Sequence, residues 1–129
     1  MVGIERDRPI QLMTATPEAV SLARIAAKAG ADKLAENAVA LDVSEPFGLA
    51  EIFLLLSGSN ERQIIAIAEE VEEKLRQAGH KARVLEGKQS ARWVLMDFGD
   101  LVVHVMHEQE REFYSLERLW KDCPVVSVD

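Results

Sequence analysis

Residues 52–60, "IFLLLSGSN", decide the fold class of this chain. The apolar residues 52–56 show no polar alternation, which is typical of a central strand that is covered on both faces. The residues that follow predict a turn and a helix, because Asn60 can cap a helix and Gln63 occupies the capping-box position. A strand that leads into a crossover helix predicts a further, parallel strand, so we expect an α/β protein.

The helix after Asn60 carries one continuous apolar stripe and is predicted to end at Gly79. The stripe consists of Ile64, Ile67, Ala68, Val71, Leu75 and Ala78. Three short strands are predicted after the helix, at residues 82–86, 92–96 and 101–106. Turns that contain Gly87 and Gly99 join these strands, and the second turn is hairpin-like.

The residues on either side supply the remaining elements. Thr16, Pro17 and Glu18 predict the start of a helix that continues to about Asn37. The other predicted elements are a strand at 38–43, a loop at 44–51 and a short helix at 111–120.

Together these elements predict a single α/β domain at residues 16–123, with a mixed β-sheet of about five strands flanked by helices. Residues 1–15 are expected to form a flexible N-terminal extension, with Met13 as an alternative start. Residues 124–129 are expected to form a C-terminal tail without a predicted partner. The 129 residues are 48% hydrophobic, which is enough for one core.

Charge and cysteine content exclude several classes of function. Lys and Arg total 15 and Asp and Glu total 22, so the net charge is −7. A chain this acidic is not expected to hold nucleic-acid phosphates directly, although it suits a basic protein partner. Cys123 is the single cysteine, which excludes an internal disulfide and predicts a reducing cytoplasm. The longest apolar run is far too short to span a membrane, and the N-terminus has no signal-peptide core.

His104, His107 and Glu108 are the candidate metal ligands. Three of the residues 101–106 before His107 are β-branched valines, which favours a strand. Side chains three positions apart in a strand point to opposite faces, so the two imidazoles cannot hold one ion. The sequence therefore predicts no metal site.

Gly58 and Ser59 have two interpretations that involve phosphate chemistry. A Walker-type loop needs a lysine after the glycine, and none follows here. Nucleotidyl transfer needs two carboxylates two positions apart on one strand face, whereas Asp97 and Asp100 are three apart and flank a turn. We therefore predict a turn and helix cap at Gly58 and Ser59, with no catalytic or cofactor-binding residue. Cys123 lies in no nucleophile motif either.

Aromatic residues are concentrated after residue 90. Tyr114 and Trp120 are predicted to lie in the core. Trp93 is balanced between the core and an interface, because its neighbours on the strand are charged. Phe98 falls in a predicted turn, so we expect it to be exposed and to contact a partner, as aromatic side chains often do at interfaces.

Five segments carry a resemblance to a known family. They are "ALDVS" (40–44), "SGSNERQ" (57–63), "EG" (86–87), "RWVLMDFGDLVVHVM" (92–106) and "REFYSLERLW" (111–120). In this order the segments are similar to the ribosomal silencing factor RsfS family, also called the Iojap family. The resemblance spans about residues 17–123, and the combination of the last two segments is its most specific part.

The resemblance implies a function without catalysis. Members of this family bind the large ribosomal subunit through ribosomal protein L-fourteen and block joining of the small subunit, which lowers translation under nutrient limitation. The resemblance also implies a nucleotidyltransferase-like fold without the catalytic carboxylates, no cofactor, and a homodimer when the protein is free.

Residue by residue, the resemblance implies a partner-binding site in the fourth and fifth predicted strands and the turn between them. Its members are Trp93, Phe98, Gly99, Asp100 and Met106. The resemblance implies structural roles for Tyr114, Leu119 and Trp120. His104 matches a family histidine, and Glu51 stands near the place where the family usually has an Asp.

Two other functions stay open at this point. One is a metal-dependent nucleotidyltransferase-like enzyme, motivated by Gly58 and Ser59 and by the implied fold. The other is a homodimeric adaptor with a non-ribosomal protein partner. Nucleotide binding that depends on Mg²⁺ or Mn²⁺ would favour the first, and capture of a non-ribosomal protein would favour the second.

Overall fold

The protein forms the predicted single α/β domain with a mixed β-sheet, in a computed structural model that describes residues 15–45, 48 and 50–128. In this part of the chain the sheet has six strands, against the expected five or so: β1 (Glu36–Asp42), β2 (Ile52–Gly58), β3 (Val84–Glu86), β4 (Trp93–Asp97), β5 (Leu101–His107) and β6 (Val125–Val126). Their order across the sheet is β3-β4-β5-β2-β1-β6. Except for Ala15, the predicted extension lies outside the described residues.

Within the described residues four helices accompany the sheet: α1 (Pro17–Asp32), α2 (Glu61–Gln77), α3 (Glu108–Tyr114) and α4 (Leu116–Leu119). The long helices α1 and α2 bury their apolar stripes against one face of the sheet, here called the helix-covered face. The opposite side, here called the second face, packs in part against α4 and the segment that follows it. In the part of the chain that the structure describes, every helix is too short or too polar to cross a membrane.

The predicted parallel strand after α2 exists, but it is not the next strand in the sequence. β2 pairs in parallel with β5, whereas β3 and β4 extend the sheet outward through antiparallel pairs. β3 therefore runs in the same direction as β2 without touching it. The β4–β5 hairpin brings residues 93–107 to the centre of the sheet.

Strand β2 is buried along its whole length, as its apolar run predicts. Ile52, Leu54 and Leu56 belong to the core against the two long helices. Phe53 and Leu55 belong to the smaller cluster on the second face. Each such side chain contributes roughly 1.5–3 kcal/mol through burial, so this strand is the main apolar element of the domain.

The start of α2 confirms the predicted cap. The Asn60 Oδ1 atom accepts a hydrogen bond from the Gln63 amide at 2.8 Å. The Gln63 Oε1 atom accepts one from the Ser59 amide at 2.8 Å, one residue earlier than in a standard capping box. The predicted stripe is buried except for Ala78, which caps the end of the helix just before Gly79 adopts a φ of +93°.

Helix α1 ends at Asp32, so the predicted end at about Asn37 is wrong. Leu34 adopts a left-handed φ of 64°, and the following amide donates to the Gly30 carbonyl at 2.9 Å, which closes a Schellman motif. The Gln63 side chain also donates to the Leu34 carbonyl at 3.0 Å. A contact from α2 therefore stabilises this turn, in which Leu34 occupies the left-handed position that glycine usually takes.

The start of α1 is held by two carboxylates from other elements. The amide of Ala15 donates to the Asp42 carboxylate at 2.9 Å, and that of Thr16 donates to Glu51 Oε1 at 2.6 Å. The Thr16 hydroxyl oxygen accepts from the Ala19 amide at 3.2 Å, as predicted for the cap. Glu51, which stands near the family's usual Asp, thus anchors a helix terminus, where negative charge is favourable.

The C-terminal part of the chain differs from the prediction in two places. The single helix expected at 111–120 begins at Glu108 and breaks at Ser115, which adopts a φ of 50°. The tail also has a partner, because Val125 and Val126 pair antiparallel with β1 and form an edge of the sheet. Two adjacent valines are too short a pattern to predict a strand.

Candidate functional site

The second face of the sheet brings together Trp93, His104 and Met106, three of the residues that the sequence singled out. The residues that share this face across the central strands are Trp93, Leu95 and Asp97 of β4, Val102, His104 and Met106 of β5, and Phe53, Leu55 and Ser57 of β2. Side chains at alternate positions of a strand share one face, so this set follows directly from the register. Helices α3 and α4 cover only part of it.

Trp93 lies at the start of β4 with its side chain partly exposed. It pairs directly with Met106 of β5. Its indole Nε1 donates a hydrogen bond to His104 Nδ1 at 3.1 Å, and its ring centroid lies 5.0 Å from that of Tyr114. Gly87, with a φ of +94°, lies so close that an added Cβ would collide with the Trp93 carbonyl oxygen. Both backbone and side chain of Trp93 are therefore fixed.

Exposed apolar side chains continue from Trp93 along α3 and α4. The Tyr114 ring meets the Phe113 ring at a centroid distance of 5.0 Å. Phe113 is 79% exposed, Tyr114 50% and Leu119 70%. The prediction that Tyr114 lies in the core is wrong, because half of Tyr114 is exposed at the end of α3. The structural role that the resemblance implies for Leu119 stays a prediction. Only Trp120 packs as predicted, with its ring 5.8 Å from Phe53.

Phe98 and Met106 are buried. Phe98 is 8% exposed and belongs to the core against α1 and α2, so the prediction that it is exposed is wrong. The strand alternation continues through the turn, since the Phe98 amide donates to the Leu101 carbonyl at 2.8 Å. Met106 is fully buried beside Trp93. The role of Phe98 and Met106 in partner binding stays a prediction. Because both side chains are buried, neither is freely accessible to a partner.

Gly99 and Asp100 form the hairpin turn that the sequence predicted. Gly99 adopts a φ of +96°, and its amide donates to Asp97 Oδ1 at 2.7 Å. The Asp100 side chain is exposed, while its carbonyl accepts from the amides of Glu51 and Ile52 at 2.9 and 3.0 Å. The turn is therefore tied to the central strand on one side and open to solvent on the other.

His104 and His107 lie in β5, which confirms the strand prediction. His107 caps α3, because its Nδ1 accepts from the Gln109 amide at 3.1 Å. Burial lowers the pKa of His104 to about 4. Its Nε2 is the one buried side-chain nitrogen or oxygen without a hydrogen-bond partner in the described part of the chain. Those residues contain no group of three or more His, Cys, Asp or Glu side chains arranged to hold a metal ion.

Gly58 is the last residue of β2 and Ser59 joins it to the Asn60 cap of α2, in agreement with the turn and helix cap that the sequence favoured. A Cβ added at Gly58 would meet the Ile64 side chain at 2.9 Å, so this glycine allows close packing of α2 on β2. The Ser59 amide is occupied by Gln63. Asp97 accepts from the turn amide and from Arg83 at 3.4 Å.

An open groove of ≈ 610 Å³ lies between the first residues of β1, Ser57, α3 and α4. Arg111 forms its floor and is almost fully buried. Its Nη1 donates to the Ser57 hydroxyl at 2.8 Å, and its Nη2 donates to Glu117 at 2.6 Å. The hydrogen bonds of this arginine join α3 and α4 to the central strand.

Comparison with known proteins agrees with this geometry. Residues 16–129 match the family model described as "Ribosomal silencing factor during starvation". The chain is 43% identical over 109 residues to ribosomal silencing factor RsfS of Bacillus subtilis, which covers 84% of this chain and 92% of that protein. A crystal structure from Bacillus halodurans matches with a TM-score of 0.71 and 42% identity, covering 83% of this chain and 97% of that one.

A crystal structure from Chromobacterium violaceum matches with a TM-score of 0.76 and 36% identity, covering 78% of this chain and 84% of that one. The shared fold therefore accompanies the shared sequence over most of both chains. The family match covers the whole described domain from the cap of α1 onward. This chain belongs to the RsfS family.

Proposed function

We propose that this protein is a ribosomal silencing factor that binds the large ribosomal subunit through ribosomal protein L-fourteen. In that position its bulk blocks joining of the small subunit, which represses translation in the cytoplasm under nutrient limitation. The observation that carries the proposal is the family match over residues 16–129, whose description names silencing during starvation. The relative from Bacillus subtilis has ribosomal silencing in its name.

The proposed docking surface comprises the residues inferred from the sequence and the apolar residues exposed beside them. They are Trp93, Phe98, Gly99, Asp100, Met106, Phe113, Tyr114 and Leu119. The four residue steps along β4 from Trp93 to Asp97 correspond to roughly 13 Å. A standard interface buries about 800 Å² on each partner, so one partner can reach both the aromatic end and the turn.

Within the docking surface the roles follow from exposure. Trp93, Phe113 and Tyr114 form a row of rings that a partner can contact directly. Met106 supports Trp93 from within the sheet. Phe98 supports the turn from the helix-covered face, where it fixes the backbone that presents Asp100.

Charge favours a basic protein as the partner. The chain carries a net charge of −7, and the exposed acids Glu108 and Glu112 lie on α3, the helix that carries Phe113 and Tyr114. A protein with this acidic balance attracts a basic protein surface and is repelled by bare ribosomal RNA. We expect a second copy of the chain to cover these apolar side chains when the protein is free.

Blocking of subunit joining requires bulk and affinity rather than chemistry. Neither a catalytic group nor a cofactor enters the proposal. The contact has to bury on the order of 1,200–2,000 Å² of total surface, which is the range of specific interfaces. The aromatic side chains supply the type of anchor that dominates the energy of such contacts.

Co-sedimentation with purified large subunits tests the proposal. We expect the wild type to sediment with the large subunit, and Trp93→Ala and Phe113→Ala to bind more weakly. Leu34→Ala is a matched control, because Leu34 is apolar and 77% exposed but lies outside the docking surface. If the wild type stays at the top of the gradient, or a lysate yields only a non-ribosomal partner, the proposal is wrong.

A further inference from the structure

His104 is the buried polar residue at the centre of the second face. It pairs with Leu95 of β4 and Leu55 of β2, and its ring contacts Phe53 at a centroid distance of 5.1 Å. Its Nδ1 accepts the hydrogen bond from the Trp93 indole at 3.1 Å. An indole nitrogen only donates, so Nδ1 must be unprotonated and the proton of the neutral ring must lie on Nε2.

This tautomer leaves the Nε2 hydrogen buried without an acceptor. An unsatisfied buried donor loses its hydration and gains no hydrogen bond in return, so it opposes folding. An apolar side chain of similar size would avoid that cost, because the neighbours of His104 across the sheet are leucines and Phe53. The stability of the fold therefore does not explain a histidine here.

What the histidine provides is an acceptor for Trp93. The Trp93 ring is held by His104 at its nitrogen and by Tyr114 at a centroid distance of 5.0 Å. Met106 packs beside it on the same face. A side chain that is already fixed loses little conformational freedom when a partner binds, so the affinity of the complex increases.

We propose that His104 is a positioning residue for partner binding, which holds the Trp93 indole in the orientation that the partner meets. The inference rests on the proposed function, because it assigns Trp93 to the docking surface. His104 itself does not touch the partner: its side chain is buried beneath Trp93 and Phe53. Its contribution is transmitted entirely through Trp93.

The test compares two His104 variants, with Trp93 variants as references, by two readouts that a merely structural role would not move. His104→Phe removes both the acceptor and the unsatisfied donor, and His104→Asn keeps an oxygen acceptor near the position of Nδ1. The indole N–H signal of Trp93 in NMR, assigned with Trp93→Phe, reports the hydrogen bond in the free protein. The dissociation constant for large ribosomal subunits reports docking, and urea unfolding reports stability.

For His104→Phe we expect a shifted, faster-exchanging indole signal, an unfolding midpoint no lower than that of the wild type, and binding weakened by roughly 3- to 10-fold. His104→Asn should restore most of the affinity. In the Trp93→Ala background, His104→Phe should have no further effect on binding, because the two residues act as one unit.

Three outcomes would overturn the inference. If Trp93→Ala weakens binding but His104→Phe binds like the wild type, the positioning role is wrong and the docking surface stands. If both His104 variants lower the unfolding midpoint while the Trp93 indole signal is unchanged, His104 is only structural. If Trp93→Ala itself binds normally, the proposed docking surface is wrong and the inference falls with it.

Discussion

Arg111 donates a hydrogen bond from Nη1 to the hydroxyl of Ser57 at 2.8 Å and thereby ties α3 to the central strand across 54 residues of sequence. Its other nitrogens bind Glu117 at the start of α4, at 3.0 and 2.6 Å. One side chain therefore sets the position of both short helices on the second face. The exposed row of Phe113 and Tyr114 depends on that position.

We expect Arg111→Ala to lower the free energy of unfolding by about 2–3 kcal/mol, because it removes a buried charged donor and leaves Ser57 and Glu117 without it. Urea unfolding measures this change. Arg76→Ala is the control, since Arg76 binds Glu73 at the same distance of 2.6 Å but both side chains are exposed. The control should lose less than about 1 kcal/mol. Equal losses would contradict the importance of burial.

We expect Glu51→Ala to lower the free energy of unfolding by about 1–2 kcal/mol, because the Thr16 amide at the start of α1 loses its acceptor. Glu51→Gln keeps an oxygen at the same reach and should lose less than half as much. Both values follow from urea unfolding at neutral pH. A Gln variant as unstable as the Ala variant would show that charge, rather than the hydrogen bond, holds the helix terminus.

The pH dependence of stability should contain a contribution from His104. Burial lowers its pKa from 6.5 to about 4, so the unfolded chain binds this proton more tightly than the folded protein does. Stability is therefore complete above pH 6.5 and is lost as the pH falls from 6.5 toward 4. Between pH 7.5 and pH 5 the loss should be about 2 kcal/mol.

Urea unfolding at these two pH values measures that contribution. His104→Phe should lose about 2 kcal/mol less than the wild type over the interval. His80→Ala is the control, because His80 is exposed, and it should follow the wild type. Parallel losses in all three proteins would rule out His104 as the source.

Gly87→Ala should destabilise the protein more than Gly79→Ala. Both glycines have a φ near +94°, at +94° and +93°, so both substitutions carry the same backbone strain, about 1 kcal/mol. Only at Gly87 would the new Cβ collide with the backbone of Trp93, whereas the space around Gly79 is open. The unfolding midpoint should fall further for Gly87→Ala than for Gly79→Ala, and binding to large subunits should fall only for Gly87→Ala. Indistinguishable variants would mean that the 87–93 connection is free to shift.

Elements that are specified by residues close together in the sequence could be predicted. The strand at 52–56 and the cap at Asn60 are encoded within a dozen residues, and both are confirmed. The end of α1 could not be predicted, because a side chain 29 residues away, Gln63, stabilises the turn at Leu34. The strand that pairs with Val125 and Val126 is also distant in sequence, since that strand is β1.

The strand and turn that carry the candidate site were predicted, but the exposure of its side chains was not. Trp93 and the Gly99 turn lie where the sequence indicated. Phe98 was expected to be exposed because it falls in a turn, yet it continues the alternation of Val94 and Met96 into the core. Tyr114 was expected in the core, yet the left-handed Ser115 turns it outward.

The joining of separated ribosomal subunits on a sucrose gradient, with increasing amounts of the protein, tests the central claim most directly. We predict that the fraction of joined ribosomes falls as the large subunits become saturated, and that Trp93→Ala requires roughly 10- to 100-fold more protein for the same effect. Unchanged joining at a concentration that saturates the large subunits would contradict the proposed silencing function.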